Sequence, residues 1–214
     1  MSQESHPMRS YLAAVLIFAL AAAPAAAIEP TPVQVAALSA RAYAQGLESA
    51  DPLLLVTAAR LRKSLALVAG DRAPVDGQGG GETPLTWQEM LASAEALAGA
   101  DAVLIGLIAD VRAETTKGVA IGPIYNIGAL ANGDSDTYPM IEFRGGEYAE
   151  VYVEARSATN LNLTVRDSEG RLVCSDADIS HIAYCGWTPA SGGAFTLIVE
   201  NKGPTAAPYA LMTN

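Results

Sequence analysis

The chain has 214 residues, and its 13 lysines and arginines against 23 aspartates and glutamates leave a net charge of −10. Basic residues are scattered apart from Arg60, Arg62 and Lys63, so no basic face exists for nucleic acid or an anionic membrane. Residues 31–115 are rich in Ala and Leu, whereas residues 119–214 are rich in Val, Thr, Tyr, Gly and Asn. This division predicts an α+β multidomain protein with helices before strands.

The N-terminal segment has the pattern of a signal peptide. Arg9 precedes an apolar run from Tyr11 to Leu20, and Ala25 to Ala27 form a small-residue cleavage site. We predict a signal peptide over residues 1–27 and a periplasmic or secreted mature protein. An uncleaved anchor is the alternative. No later apolar run reaches transmembrane length, so we expect no membrane span after cleavage.

Four helices are predicted over residues 28–115, arranged as two hairpins. Pro32 indicates the first start, Asp51 caps the second helix, Thr86 and Glu89 form a capping box, and Asp101 caps the fourth. On the fourth helix, the side chains expected to face the protein interior are those of Val103, Leu104, Leu107, Ile108 and Val111. Between the hairpins, residues 71–84 contain four glycines close together and are predicted to form a flexible linker.

The two hairpins resemble each other at an offset of fifty residues. Matching pairs are Asp51 and Asp101, Leu54 and Leu104, Ala59 and Ala109, and Arg62 and Arg112. This pattern indicates a duplicated hairpin that forms a helical layer. The layer is interpreted as structural, and the alternative is a surface that docks another protein.

The second half alternates apolar and polar residues over short stretches. Residues 116–135 are interpreted as a linker or a first strand, and residues 136–214 as an antiparallel β-sandwich. Within it, Tyr148 to Glu154 is expected to form a half-buried strand, with Val151 and Val153 opposite Tyr152 and Glu154.

Several motifs of this half occur in an order that resembles a known family. They are the run Asn160 to Leu163, the turn Asp167 to Gly170, the stretch Trp187 to Pro189, the strand Gly193 to Asn201, and the end Tyr209 to Asn214. Residues 130–214 resemble the bacterial pre-peptidase C-terminal domain. The resemblance implies a jelly-roll-like β-sandwich, appended to secreted peptidases, that in some members binds calcium, collagen or polysaccharide. Asn160 and Asn162 stand where that family usually has aspartates.

Cys174 and Cys185 are the only cysteines. An exported protein meets an oxidising compartment, and a hairpin would bring neighbouring strands together, so we predict a disulfide between them. Two free buried thiols are the alternative. His181 is the only histidine after the predicted cleavage site, which argues against a zinc site.

Two short acidic pairs lie in turn-like stretches, Asp134 with Asp136 and Asp176 with Asp178. Calcium takes six to eight oxygen ligands from flexible loops, so convergence of the two pairs would form a calcium site. The alternative is that both pairs are solvated turn residues. No other cofactor is expected.

Aromatic side chains are the candidate binding residues. Tyr138, Tyr148, Tyr152, Tyr184 and Tyr209 are candidates for stacking on sugars or peptides, and the alternative is that they are half-buried strand residues. Trp187 is expected to pack in the core beside the disulfide.

No motif for catalysis is present. The sequence lacks a nucleophile elbow, a zinc-binding His-Glu motif, a phosphate loop and a dinucleotide fingerprint. We therefore expect a non-catalytic exported binding or structural module whose partner is a protein or polysaccharide. One alternative is an accessory factor that docks a secreted peptidase or envelope assembly through its helical half. The other is a carboxylate-based hydrolase.

Overall fold

The computed structural model describes residues 29–75, 77, 80–115, 122–157 and 159–214. Its helices are α1 (Pro32–Glu48), α2 (Pro52–Lys63), α3 (Trp87–Ala98) and α4 (Ala102–Ala113). Its strands are β1 (Val68–Ala69), β2 (Ile124–Leu130), β3 (Ser135–Phe143), β4 (Ala149–Ala155), β5 (Leu161–Arg166), β6 (Leu172–Asp176), β7 (Ile182–Trp187), β8 (Gly193–Asn201) and β9 (Ala207–Thr213). The predicted α+β class, helices followed by a sandwich, is confirmed. Residues 1–27 and 116–121 lie outside the described residues.

The helices begin where the sequence predicts. Asp51 accepts the backbone N–H of Leu53 at 2.8 Å, and Asp101 accepts that of Val103 at 2.9 Å. The Thr86 hydroxyl accepts the N–H of Glu89, whose carboxylate accepts the N–H of Thr86 at 2.8 Å. These contacts satisfy donors that a helix start leaves free. Within the described ranges, no helix is long and apolar enough to cross a membrane.

The two hairpins pack differently. In the first, the backbone of Gly46 on α1 lies against Leu55 of α2, and a Cβ there would come within 2.8 Å of the Leu55 side chain. The second hairpin has Ala96 at the position equivalent to Gly46, and a methyl group at this position does not allow the same close approach of the backbone. The buried helical core is formed by Leu55, Val56, Ala58, Ala59, Met90, Leu91, Ala94, Ala98, Ile108 and Val111.

Helix α4 is therefore more exposed than its apolar sequence predicts. Ile108 and Val111 are its buried residues. Val103 is 72% exposed and Leu107 is 39% exposed, so the prediction that both face inward is wrong. Leu104 is partly buried against the helical core.

Two sheets form the sandwich. Sheet A has the order β1-β2-β9-β4-β7 and is antiparallel except for the β1–β2 pair, and sheet B has the order β3-β8-β5-β6. Strand β2 lies within the stretch that the sequence left open between linker and strand. Alternate residues of both sheets meet in one core. At one end of it the Trp187 ring lies 4.9 Å from Phe143 and 5.4 Å from Phe195 between centroids.

A disulfide closes one side of the sandwich. Cys174 on β6 is bonded to Cys185 on β7, with Cα atoms 5.9 Å apart, so the predicted pairing is confirmed. Its place differs from the expected hairpin, because β6 is an edge strand of sheet B and β7 an edge strand of sheet A. The bridge therefore joins the two sheets. Asp176 on β6 reinforces the contact, since it accepts the backbone N–H of Tyr184 on β7 at 2.8 Å.

The segment between α2 and α3 is packed on the sandwich, so its described residues contradict the predicted flexible linker. Val75 donates its backbone N–H to Thr137 at 2.9 Å, and Pro74 and Pro84 are buried. A Cβ at Gly81 would come within 2.6 Å of the Gly128 backbone. Glycine at position 81 allows the two backbones to approach closely, and it does not indicate a flexible connection.

The helical half docks on sheet A through α1. Its Val33, Ala36, Ala37 and Ala40 pack against Tyr152, Ile182, Ala210 and Met212. Every residue of β4 is buried, because one face meets the sandwich core and the other lies under α1. The prediction of a half-buried strand is wrong for this reason. The two halves are packed together and form a continuous structure.

Candidate functional site

Buried carboxylates share one arrangement in the described part of the chain. They are Asp136, Glu150 and Glu154, and each accepts a hydrogen bond from a tyrosine hydroxyl. A buried carboxylate is costly unless hydrogen bonds replace its hydration. The tyrosines that the sequence marked as binding candidates supply much of that replacement.

The first of these tyrosine–carboxylate pairs, Tyr209 with Asp136, lies inside the sandwich. Tyr209 donates to Asp136 Oδ2 at 2.6 Å, and Tyr138 donates to the Tyr209 hydroxyl at 2.9 Å. Burial raises the pKa of Tyr138 to about 12 and raises the pKa of Tyr209 well above its ordinary value. Both hydroxyls therefore stay protonated and donate. Gly128 leaves room for the Tyr209 ring, which a side chain there would meet.

The second pair, Tyr152 with Glu154, is bound by an arginine that joins the helices to sheet A. Arg62 on α2 donates to both Glu154 oxygens, at 3.0 and 2.8 Å, and its Nε donates to Ser39 at 2.8 Å. Tyr152 donates to Glu154 at 2.9 Å. The charged side chains are 2% and 6% exposed. Burial raises the pKa of Tyr152 well above its ordinary value, so it too remains a donor.

The third pair lies at the start of α1. Glu150 Oε1 accepts from Tyr184 at 2.6 Å and from the hydroxyl of Thr31, the cap of α1, at 2.7 Å. Its Oε2 has no hydrogen-bond partner among the described residues. Gln34 and Tyr148 each donate to the Tyr184 hydroxyl, at 3.4 and 3.3 Å. Burial, with the hydrogen bond to Glu150, raises the pKa of Tyr184 well above its ordinary value.

The five candidate tyrosines thus divide into two groups. Tyr138, Tyr152 and Tyr209 are at most 1% exposed, so the expectation that they are available for binding is wrong. Their hydroxyls are used inside the protein. Tyr148 is 45% exposed and Tyr184 is half-buried, and their hydroxyls are in contact at the surface.

These two residues line a depression that we call the tyrosine groove. It has a volume of about 170 Å³ and is formed by Gln34, Ala37, Leu38, Arg41, Tyr148 and Tyr184. Tyr148 also lines a neighbouring depression of about 350 Å³, together with Glu142, Phe143, Arg144, Glu147, Ala149 and Asn214. The groove therefore lies where α1 meets sheet A, and it continues toward the turn between β3 and β4.

The groove combines aromatic, cationic and amide groups. The exposed Arg41 guanidinium makes no hydrogen bond or ion pair with the described part of the chain. Leu38 beside it is 50% exposed. Tyrosine faces pack on apolar surfaces, and a guanidinium pairs with a carboxylate through two parallel hydrogen bonds. Such a set recognises a ligand that is partly apolar and partly anionic.

Sequence reasoning missed the contribution of α1 to this groove. Gln34, Leu38 and Arg41 have the spacing i, i+4, i+7, which places them on one side of the helix. That spacing was the available signal. Only the docking of α1 on sheet A reveals that this side stands next to Tyr148 and Tyr184.

The two acidic pairs do not converge. Asp134 and Asp136 lie at the start of β3, and Asp176 and Asp178 lie at the end of β6, on opposite edges of sheet B. Asp136 is 1% exposed and bonded to Tyr209, and Asp176 is bonded to Tyr184. Within the described ranges, no group of three His, Cys, Asp or Glu side chains is placed to hold a metal ion. The expected calcium site is therefore not formed by these four residues.

Asn160 and Asn162 lie at the start of β5, on the same sheet. The Oδ1 atom of each is buried and has no partner among the described residues. These are the two positions at which the family that the sequence resembles usually has aspartates.

Comparisons with known proteins concern the sandwich. No protein-family model matches the chain, and no curated protein matches it. A solved pre-peptidase C-terminal domain of a Bacillus anthracis collagenase matches at 18% identity, over 42% of this chain and 87% of that one, with a TM-score of 0.35. The domain resembled by the sequence is thus among the matching structures, and the helical half is unmatched.

Other matching structures belong to proteins with different roles. The periplasmic g-type lysozyme inhibitor of Aeromonas hydrophila matches at 16% identity, over 43% of this chain and 84% of its own, with a TM-score of 0.32. A carbohydrate-binding module of a Cellvibrio mixtus lichenase, in complex with cellotriose, matches at 12% identity, over 40% of this chain and 72% of its own, with a TM-score of 0.25.

Proposed function

We propose that this protein is a non-catalytic exported module that binds a polysaccharide bearing carboxylate groups in the tyrosine groove. The observation that carries the proposal is the position of Tyr148 and Tyr184, adjacent at the surface with hydroxyls 3.3 Å apart, beside Arg41, which has no ion pair among the residues that the structure describes. Sugar rings have apolar faces that stack on tyrosine, and their hydroxyls exchange hydrogen bonds with tyrosine and glutamine. Arg41 adds the preference for an anionic sugar.

The groove is held rigid before any ligand arrives. Glu150 fixes the Tyr184 hydroxyl at 2.6 Å and fixes the N-terminus of α1 through Thr31 at 2.7 Å. Asn214 donates to the backbone carbonyl of Tyr148 at 2.7 Å. Groups that are already positioned lose less entropy on binding, which raises affinity for a given set of contacts.

Export is the second part of the proposal. The Cys174–Cys185 disulfide forms in oxidising compartments, and residues 1–27 have a signal-peptide pattern. Polysaccharides that bear carboxylates are found in these compartments, as components of the cell wall and of extracellular matrices. We therefore place the activity in the periplasm or outside the cell.

The test measures binding of the oxidised chain, residues 28–214, to alginate and to purified peptidoglycan sacculi, with neutral laminarin for comparison. Affinity electrophoresis and sedimentation with sacculi report retention directly. We expect retention by at least one carboxylate-bearing polysaccharide and weaker retention by laminarin. Release of reducing sugar from any of the three would contradict a non-catalytic role.

Substitutions assign the binding to the groove. Tyr148→Ala and Arg41→Gln should each weaken binding by about tenfold, since stacking and a charged hydrogen bond are each worth about 1–2 kcal/mol. Leu172→Ala is the matched control, because Leu172 is 60% exposed and lies on the edge of sheet B. Equal effects of Tyr148→Ala and Leu172→Ala would place the binding elsewhere.

A further inference from the structure

The tyrosine groove is too small to hold an extended ligand by itself. Its volume is about 170 Å³, whereas sites for small ligands usually measure about 300–1,000 Å³. Tyr148 lines both this groove and the neighbouring depression of about 350 Å³. A chain of sugars that stacks on Tyr148 and continues past it therefore enters that depression. The charges in the depression act on the sugar next to the one that Arg41 binds.

The two depressions carry opposite charges. Arg41 is the charged residue of the tyrosine groove, and it has no hydrogen bond or ion pair within the described ranges. The neighbouring depression contains Glu142, Arg144 and Glu147, and we call it the acidic depression. Arg144 and Glu147 pair with each other at 3.6 Å, so their charges largely cancel. Glu142 is exposed and, like Arg41, has no partner in the part of the chain that the structure describes.

These charges favour different groups on successive sugars. A carboxylate on the sugar in the tyrosine groove is attracted by Arg41. A second carboxylate on the next sugar would enter the acidic depression, where the charge of Glu142 repels it. An uncharged sugar avoids this repulsion, and its hydroxyl or amide groups can donate a hydrogen bond to Glu142. The two depressions together therefore favour a polymer in which charged and uncharged sugars alternate.

We propose that the ligand is an alternating polysaccharide, in which a sugar that bears a carboxylate is followed by an uncharged sugar. This inference rests on the proposed function, because it specifies the part of the same ligand that lies beyond Tyr148. Arg41 binds the carboxylate, Tyr148 stacks on the polymer, and Glu142 excludes a carboxylate from the next position. Glu142 is thus a residue that determines specificity.

The fold holds the two depressions in a fixed relation to each other. The side chain of Asn214 lies in the acidic depression and donates to the backbone carbonyl of Tyr148 at 2.7 Å. The same side chain accepts the backbone N–H of Glu150 at 2.9 Å, and Glu150 holds the Tyr184 hydroxyl at 2.6 Å. Both walls of the tyrosine groove are therefore connected to the acidic depression. A rigid arrangement of this kind can distinguish the order of charges along a ligand.

The test compares two oligosaccharides of equal length. One is from hyaluronan, in which sugars with a carboxylate alternate with uncharged sugars, and the other is from alginate, in which every sugar bears a carboxylate. Isothermal titration calorimetry with the oxidised chain, residues 28–214, measures both affinities. We expect the hyaluronan oligosaccharide to bind more tightly. Salt screens repulsion between exposed charges, so the preference should become smaller as the salt concentration rises.

One variant and its control assign the preference to Glu142. Glu142→Gln removes the charge and keeps the shape of the side chain. It should raise the affinity for the alginate oligosaccharide by about twofold to fivefold and change that for hyaluronan by less than about twofold. Asp110→Asn is the matched control, because Asp110 is an exposed acid on α4 and its substitution changes the net charge equally. It should leave the ratio of the two affinities unchanged.

Equal affinities of the unmodified chain for the two oligosaccharides would overturn the inference. An effect of Glu142→Gln no larger than that of Asp110→Asn would also overturn it, because the preference would then reflect only the net charge. If Tyr148→Ala still weakens binding in either case, the proposed function stands without the inference. Absence of binding to both oligosaccharides would overturn the inference, and absence of binding to sacculi and alginate as well would overturn the proposed function.

Discussion

The buried Arg62–Glu154 pair offers the sharpest test of how the two halves are held together. In Arg62→Met, the Glu154 side chain, which is 6% exposed in the unmodified protein, loses both guanidinium hydrogen bonds, of 3.0 and 2.8 Å. Tyr152 remains as its donor. Removal of one partner from a buried ion pair costs about 3–5 kcal/mol, because the remaining charge is left uncompensated.

That cost is large enough to be measured by thermal unfolding. A chain of about this size loses roughly 2–4 °C in its unfolding midpoint per kcal/mol, so Arg62→Met should lower the midpoint by about 6–20 °C. Differential scanning calorimetry or circular dichroism at neutral pH gives the value.

The internal repeat supplies the control. Arg112 occupies the position equivalent to Arg62, and its ion pair with Glu95 is 52% and 45% exposed. An exposed pair contributes about 0–1 kcal/mol, so Arg112→Met should lower the midpoint by less than about 4 °C. Equal losses in the two variants would refute the reasoning that burial determines the effect. In the double variant Arg62→Met/Glu154→Leu, the loss should be smaller than the sum of the single losses.

Three further outcomes are expected. The double variant Cys174→Ala/Cys185→Ala should still fold, and its free energy of unfolding, measured by urea titration, should be lower by about 3 kcal/mol. An unchanged urea midpoint would contradict the role of the bridge in joining the sheets. Since the two acidic pairs do not converge, the thermal midpoint should be the same within about 1 °C in millimolar calcium and in chelator. A ligand that binds only the folded state must raise the midpoint. A clear rise in calcium would therefore reveal a cation site outside Asp134, Asp136, Asp176 and Asp178. Burial lowers the pKa of His181 below 6.5, so the unfolded chain binds a proton at a higher pH than the folded chain does. The free energy of unfolding should therefore fall as the pH decreases from about 7 to 5. His181→Gln should reduce this dependence on pH.

Features that depend on neighbouring residues could be predicted from the sequence. The helix starts at Asp51, Thr86 and Asp101 depend on side chains within three residues of the backbone groups they bind. The alternation of β4 likewise revealed which residues share a face. The disulfide followed from the presence of two cysteines in a chain whose first 27 residues have a signal-peptide pattern.

Features that depend on tertiary packing could not be predicted. Alternation places Glu150, Tyr152 and Glu154 on one face of β4 but does not reveal that α1 covers that face. The glycines of residues 71–84 have the composition of a linker, and the close approach of Gly81 to Gly128 is visible only in the fold. The groove was missed for the same reason, because Arg41 and Tyr148 are distant in sequence.

The bridge between β6 and β7 has a consequence for how the protein must be produced. Both strands end their sheets and so carry backbone N–H and C=O groups without a neighbouring strand. Such edges invite pairing with other chains unless they are held or covered. While the two thiols stay reduced, these neighbouring edges are free to separate and recruit strands from other molecules. Formation of the disulfide thus acts as a safeguard against aggregation, and expression in a reducing cytoplasm would forfeit it.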